Sequence, residues 1–114
     1  MVLSKGYTKA YGFRGDGSIA YKKNVRIRDT ITDANIYDNG YYIFIIGNNA
    51  SNIPTSDFTV TRRYLRHYNN GGGDIAQELT VIGYDSYYTA RSEQYVRGCY
   101  YDGSNYHFGN WQQL

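Results

Sequence analysis

An all-β domain with antiparallel pairing is what these 114 residues predict, and three observations carry the prediction. Short runs of β-branched and aromatic residues recur along the chain. Turn-forming steps such as Asp38-Asn39-Gly40 and Asp102-Gly103 separate them, supplying the positive φ that tight turns need. No window of about ten residues sustains the apolar i, i+3, i+4, i+7 spacing of a helix.

From Tyr21, the odd positions read Tyr21, Lys23, Val25, Ile27 and the even positions read Lys22, Asn24, Arg26, Arg28. That period of two gives a strand with one basic, solvated face. Residues 41–46 are apolar on both faces and are expected as a central, buried strand. Residues 58–65, 79–82, 94–101 and 106–108 complete the set. The best helical candidate is 75–79, behind Asp74: one turn at most, running into a strand at Thr80. Residues 47–54 and 69–73 read as loops.

Tyrosine dominates the composition, with 15 Tyr against 4 Phe and 1 Trp, alongside 13 Gly. Charged residues make up 19%, below the roughly 25% of an average domain, and the aromatic content argues against disorder. A single cysteine, Cys99, excludes an internal disulfide framework and any cysteine-based metal site. The longest apolar run, 41–46, is far short of a membrane span. The first residues lack the apolar run of a secretory signal, so the expectation is either a chain outside the general export route or a fragment with an added Met.

Charge is uneven along the chain. Residues 1–30 hold seven Lys/Arg and two Asp, a net +5, and residues 31–114 hold five Arg and eight acids, a net −3. A basic leading segment thus precedes a mildly acidic body. A small body rich in tyrosine must place many hydroxyls on partners, in water, at a subunit interface or on a binding face.

From about Ile36 onward an ordered set of features follows. It comprises Asn39-Gly40-Tyr41-Tyr42, Asn52-Ile53-Pro54, Phe58-Thr59-Val60, Ile75-Ala76-Gln77-Glu78-Leu79-Thr80, Tyr95-Val96-Arg97 and a closing Phe108-Gly109-Asn110-Trp111. This order resembles the knob domain of R-type pyocin fibres and of many phage tail fibres, over roughly 80 residues, with Phe108 standing where the family has Trp. The resemblance implies a small β-sandwich or knob assembled as a homotrimer. It makes 1–30 a basic shaft-end or linker segment and 31–114 the receptor-binding knob. Gly40, Tyr41, Pro54, Gln77, Tyr95, Arg97, Phe108 and Trp111 would be its structural motif. It further implies a virion protein, made in the host cytoplasm, at a fibre tip that meets bacterial surface polysaccharide or lipopolysaccharide.

Tyr, Asn and Asp together suit glycans, because aromatic faces stack on sugar C–H surfaces while the polar groups bond hydroxyls. The candidates are Tyr84, Asp85, Tyr87 and Tyr88 in one stretch, and Tyr101, Asp102, Asn105, Tyr106 and His107 in another. The same residues would serve equally as turn and core residues of a β-fold.

Lys22, Lys23, Arg26 and Arg28 form one basic cluster, and Arg62, Arg63, Arg66 and His67 a second. With interleaved tyrosine they fit an alternative, a small β-barrel that binds nucleic acid. The acidic body and net charge of +2 weigh against it. A purely structural fibre cap is the other alternative. His67 and His107 lack metal-ligand spacing, and no nucleophile elbow, P-loop or His-Glu-x-x-His motif is present. Hence no metal, no cofactor and no enzymatic activity are expected. Arg14-Gly15-Asp16 and Asn49-Ala50-Ser51 match short recognition motifs at a length that arises by chance.

Overall fold

A computed structural model of the chain describes residues 12–13, 19–20 and 26–114. Lys22, Lys23, the Arg14-Gly15-Asp16 tripeptide and most of the 1–30 segment lie outside these residues. Among those described, there is no helix. The all-β class therefore holds.

A short antiparallel ribbon pairs β1 (Gly12–Phe13) with β2 (Ile19–Ala20). The body is one curled seven-stranded sheet. Its strands are β3 (Ile27–Asp33), β4 (Gly40–Ser51), β5 (Thr59–Asn69), β6 (Ile75–Tyr84), β7 (Ala90–Tyr101), β8 (Tyr106–Phe108) and β9 (Gln112–Gln113). They are ordered β3-β4-β5-β6-β7, and β8 and β9 share the far edge of β7. One sheet thus does the work expected of two, with connecting segments laid across its inner face.

Pairing from β4 to β9 is antiparallel, but β3 runs parallel to β4. A parallel connection ordinarily needs a dozen or more residues. Here residues 34–39 suffice, because they cross directly over the inner face, where Ala34 and Ile36 join the core.

Burial alternates along β6: Ile75, Gln77, Leu79 and Val81 point inward while Ala76, Glu78 and Ile82 face out. That period of two overrules the helical turn expected at 75–79, since each inward side chain meets the inner face of β5 and β7. Residues 47–51, expected as loop, extend β4 instead. They follow β3, with Ser51 opposite Asp33, and Asn49 takes a φ of 59° within the irregular stretch. Strand 41–46 is flanked on both sides as expected, with Phe44 and Ile46 buried and Ile43 and Ile45 only partly covered.

The core joins Phe44, Ile46, Leu65, Leu79, Val81 and Tyr95 from the sheet to Ala34, Ile36, Ile53 and Trp111 from the covering segments. Leu65 and Leu79 are completely buried, each worth about 1.5–3 kcal/mol relative to exposure. The buried Tyr95 places its hydroxyl on Glu93 at 2.8 Å, which also accepts from Ser56 at 2.8 Å.

Candidate functional site

Three regions gather the residues singled out in the sequence. The first is a polar row across the inner face. His67, Gln77 and Arg97 are register partners on β5, β6 and β7. Arg97 Nε donates to Gln77 Oε1 at 2.8 Å, and Arg97 Nη2 donates to Ala34 O at 3.0 Å and Asn35 Oδ1 at 2.8 Å. Gln77 Nε2 also donates to Ala34 O, at 2.9 Å. Farther along, His67 Nε2 meets Asp38 O at 2.8 Å and Asn69 Nδ2 donates to Tyr37 O at 2.9 Å. The row therefore straps residues 34–38 onto the sheet, supplying partners to carbonyls that would otherwise be orphaned.

Above this row the Arg97 guanidinium lies between two rings, 4.2 Å from Phe108 and 4.3 Å from Trp111. Trp111 Nε1 donates to Asn52 O at 2.9 Å. Burial lowers the Arg97 pKa to about 10, leaving it cationic at neutral pH. Gln77, Arg97, Phe108 and Trp111, far apart in sequence, thus form one cluster, with Tyr95 packed in the core and Pro54 in the covering loop. Gly40 sits at φ 115°, in the turn entering β4, and Tyr41 lies on the outer face 6.2 Å from the Tyr68 ring. Gln77 and Arg97 are buried, while Phe108, Trp111 and Tyr41 are half-buried.

The second region is the β6–β7 turn. Asp85 Oδ1 accepts from the backbone N–H of Tyr87 (2.9 Å) and Thr89 (3.0 Å), while Tyr88 N donates to Asp85 O at 2.9 Å. The carboxylate is consumed by the turn and shapes it. Tyr87 and Tyr88 are left 85% and 83% exposed, and Tyr88 stacks on Tyr84 with ring centroids 5.5 Å apart. Tyr88 also has φ 61°.

The third region is the β7–β8 turn. Asp102 Oδ1 accepts from Ser104 N (2.7 Å) and Asn105 N (2.8 Å), and Oδ2 pairs with His107 Nε2 at 2.7 Å. The Asn105 N–H first, then His107 and Ser104, hold the Asp102 pKa down to about 2. Tyr101, Tyr106, Tyr37 and Phe108 make a continuous run of rings, with centroids 4.8, 4.5 and 5.8 Å apart. Tyr100 stacks on His107 at 5.0 Å.

These two turns sit at opposite ends of β7. At roughly 3.3 Å per residue the strand separates them by about 35 Å, so one chain does not combine them into a single site. Tyr37 and Asn35, unmarked in the sequence, join the third region and the polar row only because the short crossover brings them there.

The second basic cluster is dispersed. His67 is inside the polar row, Arg66 lies on the outer face 3.5 Å from the Tyr41 hydroxyl, and Arg63 faces a cleft beside β4. In the first, Arg28 is committed to Asp38 at 2.6 Å and to the face of Tyr42 at 4.4 Å. Among the described residues no three potential metal ligands gather, and no helix is long and apolar enough to cross a membrane. Neither a family model, nor a characterised relative, nor a solved structure matches this chain.

Proposed function

We propose that the chain is the receptor-binding tip of a bacteriophage or phage-tail-like fibre, a homotrimer that engages bacterial surface polysaccharide or lipopolysaccharide through the β6–β7 turn. The observation that carries this reading is the backbone of Tyr88. Three described non-glycine residues have positive φ, and two of them are Asn49 and Asn52, the residue type that tolerates it. The third is a bulky tyrosine, 83% exposed, at a turn where Gly or Asn would fold more readily. Strain of this kind is kept where it serves a ligand. Tyr87 and Tyr88 stand on a turn locked by Asp85, so two aromatic faces reach solvent with little ordering left to do on binding.

The ordered knob-like motif and its convergence on Arg97 support the fibre reading. The outer sheet face, where Ile43, Ile45, Tyr64 and Val96 are only partly covered, supports assembly with further copies of the chain. The test is adsorption to a panel of immobilised bacterial polysaccharides and lipopolysaccharides, with light scattering for the oligomeric state. The expected result is a trimer retained on at least one surface and lost in Tyr87→Ala with Tyr88→Asn. A stable monomer at micromolar concentration, or equal retention by the double variant, refutes it.

A further inference from the structure

The seam between β4 and β5 opens partway along its length. The two strands pair as far as Ile45 opposite Tyr64. Beyond that, β4 follows β3, with Ile46 opposite Ile31, while β5 stays with β6 through a bulge at Thr61. The strands diverge into a cleft of about 230 Å³. Its lining is mostly polar, with Asn48, Arg62 and Arg63 beside smaller surfaces of Ile45, Ile46 and Val60, and the Thr61 hydroxyl is already bonded to Ile82 O.

Arg63 Nε is fully buried and finds no acceptor, the single side-chain nitrogen or oxygen in that condition among the described residues. A buried donor left unpaired costs about 1–3 kcal/mol, and more on a charged group. Neither Arg62 nor Arg63 has an ion pair among the described residues, whereas Arg28 and Arg91 have Asp38 and Asp57. A cationic side chain with a buried N–H that lacks an acceptor, set in a lined cleft, points to one complement, an oxyanion. Guanidinium groups bind carboxylate and phosphate through paired N–H bonds.

We propose that this fork is a subsite for one acidic sugar unit, a uronate or a sugar phosphate. Arg63, opposite the inward Val81, holds the anionic group and Asn48 meets a hydroxyl, while Arg62, opposite the outward Ile82, lies on the other face of β5. The volume lies below the ~300 Å³ at which sites for drug-sized ligands begin, which suits a single ring. The subsite rests on the glycan reading above for its sugar, while the tyrosine tip carries that reading separately.

The test is a titration of the full chain, labelled with ¹⁵N, followed at the Arg63 Nε–H and Asn48 amide signals. The probes are glucuronate, glucose 6-phosphate, methyl glucoside and inorganic phosphate. Expected are shifts with one or both charged sugars, the responding one telling carboxylate from phosphate, and no saturable response to methyl glucoside. Arg63→Gln should weaken that binding about tenfold or more. Arg63→Lys, which keeps the charge but lacks the fork, should weaken it too, and Tyr88→Asn should leave it unchanged. Silence with both charged sugars overturns the proposal. So does an equal response to inorganic phosphate alone, or full binding by a folded Arg63→Gln variant. If the polysaccharide panel fails while the charged sugars still titrate, the tip reading falls and the fork stands.

Discussion

Arg97 Nε donates a 2.8 Å hydrogen bond to Gln77 Oε1 directly across the β6–β7 ladder, and this one contact orients the whole inner polar row. With Oε1 facing Arg97, Gln77 must turn its amide nitrogen toward Ala34 O and His67 Nδ1. His67 then accepts at Nδ1 and donates from Nε2 to Asp38 O, which defines its neutral tautomer.

Removing Gln77 is therefore expected to cost more than one ordinary hydrogen bond. Gln77→Leu leaves the Arg97 Nε–H and His67 Nδ1 unpaired in the interior, a loss of about 3 kcal/mol. Arg97→Met also destabilises, since Gln77 Oε1 and Asn35 Oδ1 lose their donor, Ala34 O keeps only that of Gln77, and two rings lose their cation. The double variant Gln77→Leu with Arg97→Met should cost less than the sum of the two, because no buried charge remains unpaired. Urea unfolding of the four proteins checks this, and strict additivity would contradict it.

His67 predicts a pH dependence whose sign follows from its surroundings. Burial lowers its pKa below the ordinary 6.5, only partly opposed by the Asp38 carbonyl, and Arg28 lowers it further. A proton on Nδ1 would also face the amide hydrogens of Gln77. The unfolded chain binds that proton more readily, so stability is full above about pH 6.5 and declines as pH falls toward the depressed folded value. The melting temperature should fall over that window. His67→Gln should flatten the slope there, and an unchanged slope in that variant would assign the effect elsewhere.

Much of the sheet was readable because β5 to β8 carry clean alternation and turn residues between them. The ambiguous stretch was 75–79, whose Ile-Ala-Gln-Glu-Leu suits a helix locally but is held in β6 by partners on both sides. Asn48, Asn49 and Ser51 read as loop because polar residues rarely extend a strand, yet they lie within β4, where Ser51 pairs with Asp33 of β3. The parallel β3 was illegible, since six residues fall short of any usual crossover. The row of His67, Gln77 and Arg97 depends on register between strands, which spacing in one chain does not show. That the two tyrosine-rich turns point apart does follow from the chain order, because successive hairpins of a meander leave a strand at opposite ends.

Gly83 marks a place where backbone approach governs stability. A Cβ added there would lie 1.8 Å from Thr59 O and 2.8 Å from its carbonyl carbon, both main-chain atoms that cannot swing aside. The site is the β5–β6 ladder just before the bulge, with Val60 opposite Gly83. Gly83→Ala should therefore cost about 3 kcal/mol or more, beyond the usual overpacking penalty, because the ladder must part to admit a methyl group. Gly71→Ala is the control for a glycine with nothing within 4 Å, where only its φ of 84° opposes the side chain. Thermal unfolding compares them, and a Gly83→Ala protein as stable as the parent would show that β5 shifts freely at Thr59.

Tyr88 separates folding from binding more sharply than any other residue of the tip. Its φ of 61° costs about 1–2 kcal/mol for a bulky side chain, while the stack on Tyr84 returns about 0.5–1.5 kcal/mol. Tyr88→Asn keeps a residue that accepts this backbone and removes the ring, so the fold should be unchanged or slightly more stable. If the ring serves only the turn, nothing else changes. If it serves a glycan, retention on the responsive polysaccharide falls about tenfold, consistent with the ~1–1.5 kcal/mol expected of one aromatic contact. Tyr87→Ala, which breaks no ring stack, should reproduce the binding loss without touching the unfolding midpoint. Binding that survives both substitutions would move the site away from the β6–β7 turn, to the rings of Tyr37, Tyr101 and Tyr106 at the other end of β7.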